Sequence, residues 1–213
     1  GQTAILDNFC WANTDDEERL GALVMAAKAC KDFAISYGTP FISGKDSLHN
    51  EVVSDGKKVP ILDTLLISAI SVVENIDRIT TMDLKKEGST LYIIGETKNE
   101  MGGSHYNELA GIGLEAGKVP TIDGNKSRGI LQAVEAAIKQ KTVLACHDLS
   151  EGGLAVTLAE MCFAGGIGAE IELRNVPCES WRGDGIILFS ESQTRFVAEV
   201  AGSNESDFES IMR

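Results

Sequence analysis

Hydrophobic and polar positions change period several times along this chain, and each change marks an element. Between residues 16 and 37, Leu20, Leu23, Val24, Ala27, Cys30 and Ala34 recur at helical spacing. Asp15 or Asp16 can cap that run, Glu17 and Glu18 suit its positive end, and Gly38 stops it. The spacing therefore predicts an amphipathic helix. Phe41–Ser43 reads as a short strand entering a polar loop, Gly44–Ser47. Residues 61–74 (ILDTLLISAISVVE) are β-rich and continuous, the pattern of a strand buried on both faces. The polar, glycine-containing stretch 83–89 then predicts a boundary between an N-terminal part, 1–84, and a C-terminal part, 85–213.

Beyond that boundary the pattern predicts strands at 90–96, 143–146, 169–173, 185–189 and 195–200. Helices are expected over 126–140, with Ile130, Val134, Ala137 and Ile138 inward, over 153–164, and from about Ser206. Strands and helices mix without strict alternation. That order implies an α+β fold, with helices layered on one face of mixed sheets.

The richest stretch chemically is HDLSEGGLAVTLAEM, 147–161. An apolar strand ends on His147–Asp148, Ser150 and Glu151 follow, and Gly152–Gly153 opens a helix. Such a junction offers backbone N–H groups, a hydroxyl and an anionic metal ligand at one point, as phosphate-bearing ligands and their magnesium require. A plain helix cap, with Asp148 or Ser150 capping and Glu151 completing it, fits the same residues. Ser43–Ser47 (SGKDS) has the same two readings. It is either a polar β-turn or a phosphate site in which Gly44 lets backbone approach, Ser47 donates, and Lys45 or Asp46 handles charge or metal. Glu191–Gln193 reads as a turn between strands.

Common nucleotide motifs are excluded. In Gly38–Asp46 five residues separate the glycines instead of four, and Asp46 stands where a P-loop needs Ser or Thr. Gly165–Gly168 follows a helix, not a strand, so it is a glycine helix stop and not a dinucleotide fingerprint. His49 and His105 have no spacing that implies a metal or a catalytic triad, and no catalytic residue is assigned.

Charge narrows the partners. A net charge of −13 argues against nucleic acid, whereas magnesium can still bring ATP to an acidic protein. No apolar run is long enough to span a membrane and no signal peptide opens the chain. The five cysteines lack any C-x-x-C spacing. Cys30, Cys146 and Cys162 are expected to be buried, reduced core residues, which places the protein in the cytoplasm. With no initiator Met, and with helical pattern running to Arg213, a fragment of a longer protein is expected.

Taken in order, LDNFCWAN (6–13), GTPFISGKDSLHNE (38–51), TLLISAISVVE (64–74), GGSHYNEL (102–109), HDLSEGGLAVTLAEMCFAGGIG (147–168) and FSESQTRFVAEV (189–200) resemble the phosphoribosylformylglycinamidine synthases of purine biosynthesis. Those enzymes belong to the ATP-binding superfamily of aminoimidazole ribonucleotide synthetase. The resemblance is to the second of two tandem synthetase repeats. It implies an α+β two-domain unit, with residues 1–84 as a partial N-terminal-type domain supplying strands to a barrel-like interface and 85–213 as a C-terminal-type domain.

The resemblance also implies roles. Asp7 and Gly44 match ATP contacts and Ser47 a substrate contact. Asp148 matches a magnesium ligand and Ser150 an ATP contact of an auxiliary nucleotide site. Smaller members carry a magnesium-binding Asn where this chain has Lys45, which leaves Asp46 as the nearest metal candidate. Glu191–Gln193 matches a substrate-binding turn of the first repeat and is expected to be structural here. The implied enzyme is an ATP-dependent C–N ligase with glutamine as amido donor. It converts formylglycinamide ribonucleotide to the amidine through an iminophosphate, with ATP and Mg2+ as cofactors. The expected partners are the first repeat of the same polypeptide and a glutaminase domain or subunit, and the fragment alone is expected to be inactive. The alternatives are another superfamily member, such as a thiamine monophosphate kinase or selenophosphate synthetase, or a non-catalytic scaffold repeat.

Overall fold

A computed structural model describes residues 2–179 and 183–213 of the chain. The chain divides into two compact units, Gly1–Ile76 and Asp77–Arg213.

In the first unit, β1 (Thr3–Cys10) leads into α1 (Glu17–Tyr37) and then β2 (Phe41–Ser47), which pairs parallel to β1. Helix α1 has the ends its sequence signals. The Asp16 side chain accepts from the Glu18 and Arg19 N–H groups, and Gly38 closes the helix in the left-handed conformation. A small hairpin of β3 (Glu51–Ser54) and β4 (Lys57–Pro60) follows, and then β5 (Thr64–Ser71). Strand β5 pairs antiparallel to β1, giving the order β2-β1-β5.

Two expectations fail here. SGKDS is not a loop: Gly44, Lys45, Asp46 and Ser47 pair in register with Asp7, Asn8, Phe9 and Cys10, so β1 extends β2 to Ser47. Nor is β5 buried on both faces. It lies at the edge of the sheet, where Leu66 is 57% exposed and Ile70 60%.

In the second unit, β6 (Thr90–Ile94) is followed by the short helix α2 (His105–Leu109), α3 (Gly124–Lys139) and β7 (Ala145–Asp148). Then come α4 (Gly153–Gly165), α5 (Asp184–Phe189), β8 (Phe196–Val200) and α6 (Glu205–Met212). The strands form an antiparallel sheet in the order β6-β8-β7. Alternation along β8 sends Val197 to one face and Ala198 and Val200 to the other. On the first face Val197 packs with Ala145, Leu154 and Met161; on the second, Ala198 and Val200 pack with Ala137, Val143 and Phe208. Helices therefore cover both faces of this sheet, not one as expected.

The segment Thr81–Leu84 belongs to this second unit. Thr81 O accepts from Cys146 N–H, and Leu84 is buried in the first cluster. Glu199, fully buried on β8, accepts from the N–H groups of Lys85 and Lys86 and from Ser89 Oγ at 2.7–2.9 Å. The polar 83–89 stretch is thus the cap of a buried carboxylate.

Residues 185–189 are the helix α5, not a strand. A five-residue apolar run fits either period, and only its Ile187 is buried. Residues 169–173 form no strand: the extended run finds no sheet partner and ends in the single turn Leu173–Asn175, capped by Glu172. Among the described residues all five cysteines are free thiols, and each is half-buried and not fully enclosed.

Candidate functional site

In the first unit the sheet sorts the candidate residues by face. Asp7 and Gly44 are cross-strand partners on one face. A Cβ at position 44 would overlap the Asp7 carboxylate, so glycine is what lets that carboxylate lie across β2. Asp46, two residues on, shares this face beside Phe9. Cys30 of α1 lies near enough to Asp7 that the carboxylate, added to the larger effect of burial, raises the thiol pKa. Helix α1 therefore passes within electrostatic range of the Asp7 carboxylate.

Lys45 and Ser47 point the other way, with Asn8 and Cys10 as their partners on β1. The Lys45 ammonium donates to Ser47 Oγ, and Cys10 Sγ donates to Asn8 Oδ1. Past the strand ends, Asn50 donates to Ser47 O at 2.7 Å and to Trp11 O at 3.1 Å, which ties the ends of β1 and β2 together. The structure thus joins Asp7 to Gly44 and places Ser47 on the opposite face.

Asp148 and Ser150 lie in the second unit, at the β7–α4 junction. Strand β7 ends on Asp148, and α4 begins at Gly153 behind a Gly152 N-cap. Gly152 and Gly153 both have positive φ, +79° and +61°. A side chain at either would also collide: a Cβ on Gly153 would sit 2.5 Å from Ser190 O, and one on Gly152 would overlap Val156. The N-cap, Gly152, has no side chain to cap α4, and neither Asp148 nor Ser150 caps it instead. Helix N-termini carry a partial positive charge that attracts anions, and here the Gly152 N–H already meets the Glu191 carboxylate at 2.9 Å. Ser150 is exposed beside it, and Ser150 O accepts from Gly153 N–H at 3.1 Å.

His147, mostly enclosed, stands between two carboxylates: its Nδ1 is 3.1 Å from Asp148 Oδ1 and its Nε2 2.9 Å from Glu160 Oε2. This orients the imidazole and leaves Asp148 largely exposed. Among the described residues no three His, Cys, Asp or Glu side chains converge as a metal cage. A single exposed carboxylate fits magnesium that arrives on nucleotide phosphates, the usual manner for that ion.

Sequence reasoning missed the residues that tie this junction to its neighbours. Arg195 is buried to 1% exposure and donates to Ser192 O at 2.9 Å, Thr97 Oγ1 at 2.9 Å and Ser190 O. Burial lowers its pKa to about 10, against the opposing pull of Glu100 and Glu191. Glu100, 4% exposed, accepts from Thr121 N–H and Oγ1 through Oε1. Burial works to raise its pKa, but hydrogen bonds led by Thr121 outweigh it and hold the carboxyl below its ordinary value. A charged residue heading a β-strand gave no sequence signal of burial, because buried charges are rare unless paired.

Residues 86–213 match the model of the family described as AIR synthase related protein, C-terminal domain. The chain is 37% identical over 204 residues to the phosphoribosylformylglycinamidine synthase subunit PurL of Methanocaldococcus jannaschii, covering 95% of this chain and 28% of that relative. It thus spans little more than a quarter of the curated relative's length. Among solved structures, Thermotoga maritima PurL complexed with FGAR superposes with a TM-score of 0.72 at 21% identity, covering 100% of this chain and 34% of that one. T. maritima PurL complexed with ATP gives 0.69 at 20%, covering 98% and 31%. At these identities the two structures establish a shared fold, an α+β arrangement of the AIR synthase type.

Proposed function

The chain belongs to the AIR synthase related protein family, and on that premise we propose that it is part of a phosphoribosylformylglycinamidine synthase. The reaction is the ATP-dependent conversion of formylglycinamide ribonucleotide to its amidine, with ammonia derived from glutamine. The single observation that carries the reading is the β7–α4 junction. There the N-terminus of α4, the Ser150 hydroxyl and the exposed Asp148 carboxylate meet at two glycines of positive φ. That set suits a nucleotide phosphate with its magnesium. Ser150 would contact the phosphate and Asp148 would hold Mg2+, whose chemistry is to offset charge on the phosphoryl oxygens.

Asp7 and Gly44 form the proposed ATP contact of the first unit, Ser47 contacts substrate, and Asp46 is the alternative metal ligand. Lys45, held to Ser47, supplies a fixed positive charge. The exposed apolar side chains of the first unit, among them Met25, Ile35, Leu66 and Ile70, support a further part of the same enzyme, the first synthetase repeat, as a partner. A glutaminase domain or subunit completes the proposed assembly, and the cytoplasm is its proposed place.

The test is synthase turnover of the longer protein carrying Asp7→Ala or Ser47→Ala. Each change is expected to lower turnover by about 10-fold or more, the scale of one lost transition-state contact. Unchanged turnover in both variants would remove these assignments.

A further inference from the structure

Three loops that are far apart in sequence meet at one carboxylate. Glu191 Oε1 accepts from Gly152 N–H at 2.9 Å and from His105 N–H at 3.3 Å. Gly152 is the N-cap of α4 and His105 opens α2. His105 also reaches back, with Nε2 3.4 Å from Glu151 Oε2. The turn that carries Glu191 is itself fixed from beneath. Arg195 donates to Ser190 O and Ser192 O, and Ser190 Oγ donates to Lys98 O at 2.7 Å. The same turn presses on the junction, since Ser190 O and Leu188 O occupy the space a side chain on Gly153 would need.

The junction needs such support. Two adjacent glycines have little conformational preference of their own, and the glycine N-cap of α4 has no side chain to supply a local cap. A buttressed external acceptor selects one geometry, and an ionised acceptor makes the stronger hydrogen bond. We propose that Glu191 is a positioning residue. Its carboxylate clasps Gly152 and His105 and so sets the shape of the Ser150–Gly153 junction, a role toward ligand that rests on the nucleotide reading above. The turn around Glu191 is thereby engaged within its own unit.

Residue-resolved amide exchange by NMR on the whole chain tests this. Glu191→Ala removes the acceptor. The Gly152 and His105 amides should then exchange about tenfold faster or more, the scale of a lost hydrogen bond to a charged group. Glu191→Gln keeps an oxygen in place without the charge and should lose clearly less protection at both amides than the alanine variant. The Ala198 amide in the core of β8 reports that the fold is intact. Where the alanine variant unfolds, Glu191→Asp, which draws the oxygen back while keeping the charge, should show the same loss. Unchanged exchange in the alanine or aspartate variant, or equal loss in the glutamine variant, would overturn the clasp. Mg-ADP titration of the same variants separates the two claims. If the wild type binds no nucleotide but exchange behaves as described, the nucleotide reading falls and the clasp stands.

Discussion

The two units use similar proportions of apolar sequence to opposite ends. Among the described residues of Gly1–Ile76, the buried hydrophobics are Phe9, Trp11 and Ala12, while Met25, Ile35, Ile42, Leu66 and Ile70 stay largely exposed. In Asp77–Arg213 a sheet is packed on both faces, with Met161, Ile187, Val197, Val200 and Phe208 enclosed almost completely. Apolar patterning thus marks surface that needs a partner without saying where the partner comes from. In the second unit the partner is the unit's own helices; in the first, much of the apolar pattern meets nothing within the unit.

The contrast is broken most easily by core truncation. Phe208→Ala, at a fully buried ring tilted against Tyr92 with centroids 4.8 Å apart, should cost about 4 kcal/mol in urea unfolding. Leu66→Ala should fall within about 0.5 kcal/mol of wild type, as exposed positions do. Equal losses at the two sites would erase the distinction. A smaller effect is expected at Glu199→Gln, which keeps one acceptor but leaves part of the Lys85–Ser89 cap unmet. There a loss of about 2 kcal/mol is expected from the same denaturation.

Alkaline pH should sharpen the contrast further. Burial, with the Asp148 charge as the lesser cause, raises the Cys146 thiol to about 11. The unfolded chain releases that proton near the ordinary value of about 8.5. The protonated thiol therefore stabilises the fold below that pH, and the contribution is lost as pH rises from about 9 to about 11. The urea midpoint of the wild type should decline across this window, and Cys146→Ala should remove that part of the decline. An unchanged slope in the variant would contradict the assignment.

Much of this was legible in sequence, and the misses share a cause. Local signals gave α1 with its Asp16 and Gly38 caps, the inward face of α3, and the strand–turn–helix junction at 147–153, because each rests on neighbours within one turn. SGKDS was misread because polar residues look like loop until β1 is laid beside them. Residues 185–189 were misread because so short an apolar run carries no period. The clasp at Glu191 was invisible for the same reason as the Glu199 cap: both depend on partners nearly 40 or more than 100 residues away. Asp7 and Gly44 could be named as a pair only through the resemblance, whereas the structure gives the physical reason that position 44 has no side chain.

The central claim is that the β7–α4 junction receives a nucleotide phosphate, and calorimetric titration of this chain with Mg-ADP addresses it directly. The account predicts saturable binding that weakens by about 10-fold or more in Asp148→Asn or Ser150→Ala, as expected for losing a charge-assisted contact. No binding at millimolar nucleotide, or binding indifferent to both substitutions, would contradict it.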